Sequence, residues 1–361
     1  MTGRDQIQGA APTARGAQAG GELRSIQYLR AVAALAVVVY HAVERGGGHF
    51  GTGAAGVDVF FVISGFIMAL VGARPGQTPL AFLQRRAERI APLYWLVTLG
   101  VAFLALAAPA LFPRMVVTAP HVLQSLFFVP HISPTGEPAP LIVPGWTLNY
   151  EAFFYLLFAL TLFAPLRLRV WALSALLIGL VALGLLVPME SIVWRTYTSP
   201  LLLEFLLGVW LGHAWKAGWT AGRLGGLALM ALGLAGFAVT AALQLDVEPV
   251  RLLAWGAPAF LLVAGAASLE QSAVVPRWRW LGLLGDASYS IYLVHGLAIS
   301  AAARLLSPLG TDQGAILVAA ALPASVAAGL GCYFLVEKPL LALFRVRQKR
   351  AASRARQGAT A

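Results

Sequence analysis

The stretch "RSIQYLRAVAALAVVVYHAVERGG", residues 24–47, reads as a membrane-spanning helix with two ionisable side chains where lipid would disfavour them. Arg30 and His41 are eleven residues apart. That spacing is close to three turns, so both side chains share one face, about 16 Å apart along the axis. The pair predicts a polar channel through a helical bundle, with Arg30 toward one membrane surface and His41 toward the other. The simpler alternative is an Arg30 that snorkels to the interface and a His41 that merely sits there.

The rest of the chain supports a bundle. Of 361 residues, 59% are hydrophobic and 11% charged, and the mean hydropathy is +0.77. Soluble chains carry about twice that charged fraction. Ten apolar spans can be drawn, near 24–44, 55–73, 90–112, 147–166, 169–188, 198–215, 224–245, 251–269, 287–306 and 314–336. Their even spread predicts one all-α, polytopic membrane domain over 24–340 rather than two soluble domains. Cys332 is the single cysteine and lies in an apolar run, which excludes a disulfide framework and a cysteine metal site; no metal is expected.

Charge sets the expected orientation. Loops after the even-numbered internal spans hold ten Lys/Arg, and those after the odd spans hold five. This asymmetry predicts that both termini are cytoplasmic. The net charge of +11 does not indicate nucleic acid, because seven of the 26 basic residues cluster between Lys338 and Arg356. After a span, such a cluster, six of its seven members in the 341–361 tail, reads as a cytoplasmic signal near anionic lipid. Residues 1–23 are Gly/Ala-rich without the apolar core of a signal peptide, and are expected to be a disordered cytoplasmic tail. No internal repeat suggests a transporter built from two halves.

Three carboxylates fall at depths matching His41. Asp58 opens the second span and Glu151 the fourth, and Glu204 lies one turn into the sixth, each entering from the outer side. They are expected to meet His41 in the outer third, where a carboxylate beside an imidazole would orient a general base. A structural hydrogen bond between helices is the alternative for each acid. On the inner side, "PLAFLQRRAERIAP" (79–92) places Arg85, Arg86 and Arg89 on a basic helical segment expected in the interface. Arg86 and Arg89 face one way and suit phosphates, although lipid headgroups would serve equally. The ninth span enters as "GDASYSIYLVHGL", whose Ser288, Tyr289, Ser290, Tyr292 and His295 could line a tunnel or tie helices together. The long outer loop from Phe112 to Gly145 is proline-rich, and a short interfacial helix is expected in it.

These motifs, in this order, resemble the acyltransferase-3 family of membrane O-acyltransferases over about residues 22–340. The matching segments are "RAVAALAVVVYH", "GVDVFFVISGFIM", "RRAERIAPLYW", "GWTLNYEAFFY", "DASYSIYLVH" and "VEKPL". The form "GWTLNYE" is most similar to the exopolysaccharide acetyltransferase branch. The resemblance implies transfer of an acyl group, usually acetyl, from cytoplasmic acyl-CoA to a hydroxyl of a sugar in a cell-surface glycan or lipid-linked precursor. It implies a multi-pass protein of the bacterial inner membrane, with no tightly held cofactor. By the same resemblance His41 is the catalytic histidine, and Glu151 and Asp58 are its candidate partners. Arg30, Arg85, Arg86 and Arg89 fall on the acyl-CoA side. Ser64, Trp146, Asn149, Glu204, Ser288, Tyr292 and His295 become tunnel or substrate contacts. A proton-coupled transporter or flippase using Arg30, His41 and Glu151 as a relay is the rival; it leaves the interfacial arginine pair unexplained.

Overall fold

A computed structural model describes residues 23–74, 76–244, 247–310 and 313–358; the expected disordered tail falls almost wholly outside these. Among the described residues the fold is all-helical. The helices are α1 (Arg24–Arg45), α2 (Gly56–Gly72), α3 (Pro79–Ala107), α4 (Ala119–Leu126), α5 (Gly145–Thr161), α6 (Leu166–Leu186) and α7 (Ile192–Tyr197). They continue as α8 (Leu202–Lys216), α9 (Gly222–Ala242), α10 (Ala257–Gln271), α11 (Arg279–Asp286), α12 (Ser288–Leu306), α13 (Gly314–Cys332) and α14 (Lys338–Gly358).

Among the described residues, eight helical segments are long and apolar enough to cross a membrane, α2 and α10 being counted with the helical turns that lead into them (Gly51–Gly72 and Leu252–Gln271). The other two expected spans correspond to α5 and α8, which have 17 and 15 residues and lie at the short end for a bilayer. The separate interfacial helix expected over 79–92 is instead continuous with the third span. Thr78 caps α3, its Oγ1 accepting from the Ala81 N–H at 3.3 Å with Pro79 at the first helical position, and the helix runs through Pro92. Two five-residue π-helical turns, at Leu252–Gly256 and Tyr333–Glu337, run directly into α10 and α14. Such turns rotate the side chains that follow and often mark functional sites.

Small residues set the closest helix contacts. A Cβ on Gly65 would lie 1.9 Å from the Phe205 carbonyl oxygen, and one on Gly208 would lie 2.0 Å from that of Val62. Gly212 meets Phe66 and Ala69 in the same way. The contacts advance together along both chains, so α2 and α8 run parallel, backbone against backbone, through a Gly208–Gly212 small-residue motif. Around this seam pack Phe61, Phe154 and Phe205, with Phe205 stacked on both others at 4.4 and 4.5 Å. The periphery is apolar and exposed, for example at Phe103, Phe163, Leu185, Leu224 and Leu234, as lipid contact requires.

At the His41 end, the long segment between α3 and α5 folds over the bundle. Trp95 Nε1 donates to Leu126 O at 2.7 Å, Ser125 Oγ accepts from Leu141 N at 2.9 Å, and Arg304 donates to Ala110 O and Leu111 O. The short helix expected there is α4. Its His121 lies with Nδ1 2.8 Å from His131 Nε2, and His131 Nδ1 lies 2.7 Å from Val129 O. A carbonyl can only accept, so His131 carries its proton on Nδ1 and His121 donates to His131 Nε2.

Two predictions follow from this packing. Gly208→Ala must force α2 and α8 apart; it should cost roughly 1–3 kcal/mol and lower the melting temperature in detergent, whereas an unchanged Tm would mean the seam yields freely. Burial, with His131 alongside, pushes the His121 imidazole below its ordinary value. The tether is therefore intact above about pH 6.5 and weakens as pH falls through the lower folded value, since the released loop takes up protons first. Hydrogen exchange over α4, corrected for its intrinsic pH dependence, should accelerate on acidification, and His121→Gln should remove the effect.

Candidate active site

The bundle holds two linked polar regions, and α1 reaches both. Arg30 Nη1 donates to Gln27 Oε1 at 3.0 Å, and the guanidinium lies within Coulombic range of Arg89, Glu337, Asp286 and Glu151. His41 lies against His295 of α12, ring centroids 5.0 Å apart and planes inclined by 32°. Asp286 ends α11, immediately before α12. The three-turn spacing puts both side chains of the first signature on one face of α1, Arg30 within range of Asp286 of α11 and His41 beside His295 of α12.

Around Arg30, charges are paired across helices. Arg89 forms a salt bridge with Glu337, which is buried and also accepts from Ser290 Oγ at 2.5 Å. Tyr289 lies beside the Arg89 guanidinium, 5.7 Å from ring centroid to carbon, and donates to Ile90 O. Glu151 accepts from Tyr155 and from Ser64 Oγ, the latter at 3.2 Å. Arg86 lies within Coulombic range of Tyr155, and its Nε is buried without a hydrogen-bond partner among the described residues. Arg85 turns to Gln77 Oε1 at 2.5 Å. The Arg86/Arg89 pair expected on the membrane surface thus points into the bundle, because a continuous α3 carries that face inward.

At the His41 end, His295 is buried and its Nδ1 lies 2.6 Å from Tyr292 O. That carbonyl fixes the proton on Nδ1 and leaves Nε2 as the acceptor of the neutral ring. Tyr292 Oη lies 3.1 Å from Thr147 Oγ1. Alongside stands Arg251, whose Nε and Nη2 donate to the two oxygens of Asp58, each at 3.0 Å. The fork-on-carboxylate geometry is the strong form of this contact. Arg251 also lies 4.9 Å from the Trp255 ring and 5.9 Å from that of Trp146. Glu204 lies against Asp58, fully buried, with neither oxygen hydrogen-bonded among the described residues. Asn149 Oδ1 and Ser288 Oγ are likewise buried and unbonded.

One expectation is corrected. Asp58, Glu151 and Glu204 do not gather around His41. Asp58 and Glu204 do meet, but around Arg251, a permanent cation that holds a carboxylate more firmly than an imidazole does. Glu151 sits six residues inside α5, about 9 Å deeper than its first residue, and bonds to Ser64 and Tyr155 instead. The ring next to His41 is another imidazole. Two central residues carry only indirect signals in the sequence. Arg251 reads as a loop charge, and the buried acids at its depth are what call for a cation. Glu337 is one letter of the closing "VEKPL", where an acid ending an apolar run signals a buried partner.

Residues 23–336 match the family model described as an acyltransferase domain. The chain is 46% identical to the exopolysaccharide production protein ExoZ of Rhizobium meliloti (strain 1021), covering 86% of this chain and 96% of that protein. It is 28% identical to the acyltransferase MdmB of Streptomyces mycarofaciens, covering 89% of this chain and 92% of the relative. It is 26% identical to the O-acetyltransferase OatA of Staphylococcus aureus (strain NCTC 8325), covering 76% of this chain but only 50% of OatA. No solved structure matches the chain. With its motifs carried on a multi-pass helical bundle, the chain belongs to the acyltransferase-3 family of membrane acyltransferases.

Proposed function

We propose that this protein moves an acyl group, acetyl in the simplest case, from cytoplasmic acyl-CoA to a hydroxyl of a sugar in an exopolysaccharide or its lipid-linked precursor. All ten expected spans would cross the bacterial inner membrane, with both termini in the cytoplasm and His41 near the outer surface. The observation that carries the reading is the arrangement along one face of α1: a cationic region around Arg30 at one end and the His41–His295 pair at the other. Likeness to ExoZ, whose name ties it to exopolysaccharide production, supports the acceptor class.

In this reading the donor's arm enters at the Arg30 end. Arg30 and the unbonded Nε of Arg86 offer it donors, while Glu337 neutralises Arg89 and Glu151 balances the local charge. The thioester reaches His41. The acceptor sugar arrives from the other side, where Trp146, Trp255 and Arg251 supply aromatic faces and a cation. His41 takes the proton of the acceptor hydroxyl as its oxygen attacks the thioester carbonyl. The tetrahedral intermediate collapses, the C–S bond breaks, and the departing thiolate recovers the proton from His41. His295, its ring held by the Tyr292 carbonyl, confines the imidazole of His41 in place.

The test is acetyl transfer from labelled acetyl-CoA to glycan by the purified protein. His41→Ala should cut turnover roughly 100- to 10,000-fold with acyl-CoA affinity retained, as loss of a general base does; normal turnover would remove His41 from the mechanism. Arg251→Met should destabilise the fold by about 3 kcal/mol, because Asp58 and Glu204 would be left buried without their cation. A melting temperature equal to that of the parent would contradict this.

A further inference from the structure

An open cleft of about 300 Å³ lies at the Arg30 end, between the first turns of α1 and the start of α11. Its volume is at the lower bound for small-molecule sites. Three guanidiniums line it: Arg24, Arg277 and Arg279. Arg277 and Arg279 are exposed and make no hydrogen bond or ion pair among the described residues. One carboxylate, Asp286, also lines the cleft and Glu270 lies nearby, and each is already hydrogen-bonded. Asp286 accepts from Gln27 Nε2 at 2.8 Å, and Glu270 accepts from the Ser25 N–H at 2.7 Å. The cleft therefore offers cationic donors to an anion.

It also offers an aromatic face on a fixed support. Tyr28 and Trp278 stack with centroids 6.0 Å apart and planes inclined by 20°. Tyr28 Oη donates to Pro276 O at 2.7 Å and accepts from the Trp278 N–H at 2.8 Å, and Arg24 Nη1 donates to Val275 O at 2.8 Å. These three bonds hold the loop before α11 against α1. Gln27 then bridges the cleft to the interior, because its Oε1 accepts from Arg30.

We propose that this cleft binds the nucleotide end of the acyl-CoA donor: the 3′-phosphate and diphosphate on Arg24, Arg277 and Arg279, with the adenine against Tyr28 or Trp278. The inference rests on the acyl-CoA reading above and supplies it with a docking site. Arg89 is neutralised by Glu337 and Arg86 lies inside the bundle, so the headgroup phosphates need cations elsewhere. The geometry suits such a donor. Arg24 and His41 are seventeen residues apart on α1, about 25 Å along its axis, and a headgroup bound here needs a long, thin arm to deliver its thioester to His41. Pantetheine phosphate is such an arm. A plain phosphate or a lipid headgroup would use the arginines but not the aromatic pair.

The test uses the full chain in nanodiscs of zwitterionic lipid, with CoA, 3′-dephospho-CoA and the truncated donor S-acetyl-N-acetylcysteamine as probes. The parent should bind CoA more tightly than dephospho-CoA. Arg277→Gln/Arg279→Gln should weaken CoA binding about tenfold or more and erase that preference, as loss of charged phosphate contacts does. Acetyl transfer from the truncated donor should be unchanged, which also shows that the variant is folded. If the double variant cannot be purified, Arg279→Glu alone carries the same expectation. Parent-like CoA affinity and preference in the variant would overturn the cleft while leaving the donor reading standing. Failure of the parent to bind CoA at all would overturn the donor reading, and the cleft with it. Discs containing phosphatidylglycerol form the last arm: a variant that loses only its response to this anionic lipid marks the cleft as a headgroup site and refutes the proposal.

Discussion

A charge inside a hydrocarbon slab must find its opposite on another helix, and two such pairings organise this bundle. Arg251 holds Asp58 across the contact between the π turn before α10 and the start of α2. Arg89 holds Glu337 across the contact between α3 and the π turn before α14. An unpaired charge at mid-bilayer costs a few kcal/mol or more. Each pair therefore fixes how its helices are rotated as well as where they stand. The π turns are the local device, since the extra residue in each re-aims the backbone at the point where the charged side chain must enter the bundle.

These rotations decide what else can face the interior. With Arg89 committed to Glu337, the next inward position on α3 brings Arg86 into the same space, near Tyr155 and Glu151. With Arg251 committed to Asp58, the indoles of Trp146 and Trp255 flank the cation at the opposite end. The glycine seam between α2 and α8 sets the depth match. It lets two backbones approach closely enough for Glu204 to lie against Asp58, within Coulombic range of the guanidinium that Asp58 binds.

The two ends differ in their chemistry. The Arg30 end is dominated by guanidiniums, hydroxyls and an open cleft. The His41 end is dominated by imidazoles, indoles and a folded-over segment whose ties run to α3 and α12. Between them α1 runs for 22 residues, with Gln27 bonded to Asp286 of α11 at one end and His41 beside His295 of α12 at the other.

Much of this was legible in the chain. Apolar runs marked the eight helical segments long enough to cross a membrane, and two shorter ones besides, because the need to satisfy the backbone in lipid leaves few other structures. The eleven-residue spacing placed Arg30 and His41 on one face, because helix geometry is set by the backbone alone. The six motifs pointed to the family. Partnership was not legible. Asp58 took Arg251 rather than His41, Glu151 took Ser64 and Tyr155, and His41 came to lie against His295, because pairing depends on helix rotation and depth. The contacts that set those (the glycine seam, the π turns, the run of α3 through Pro92) lie between segments far apart in sequence. The sequence by itself determined which residues had to be inside, since hydrocarbon excludes unpaired charge; only the packed bundle determined which of them met, since that required the helices to be turned toward one another.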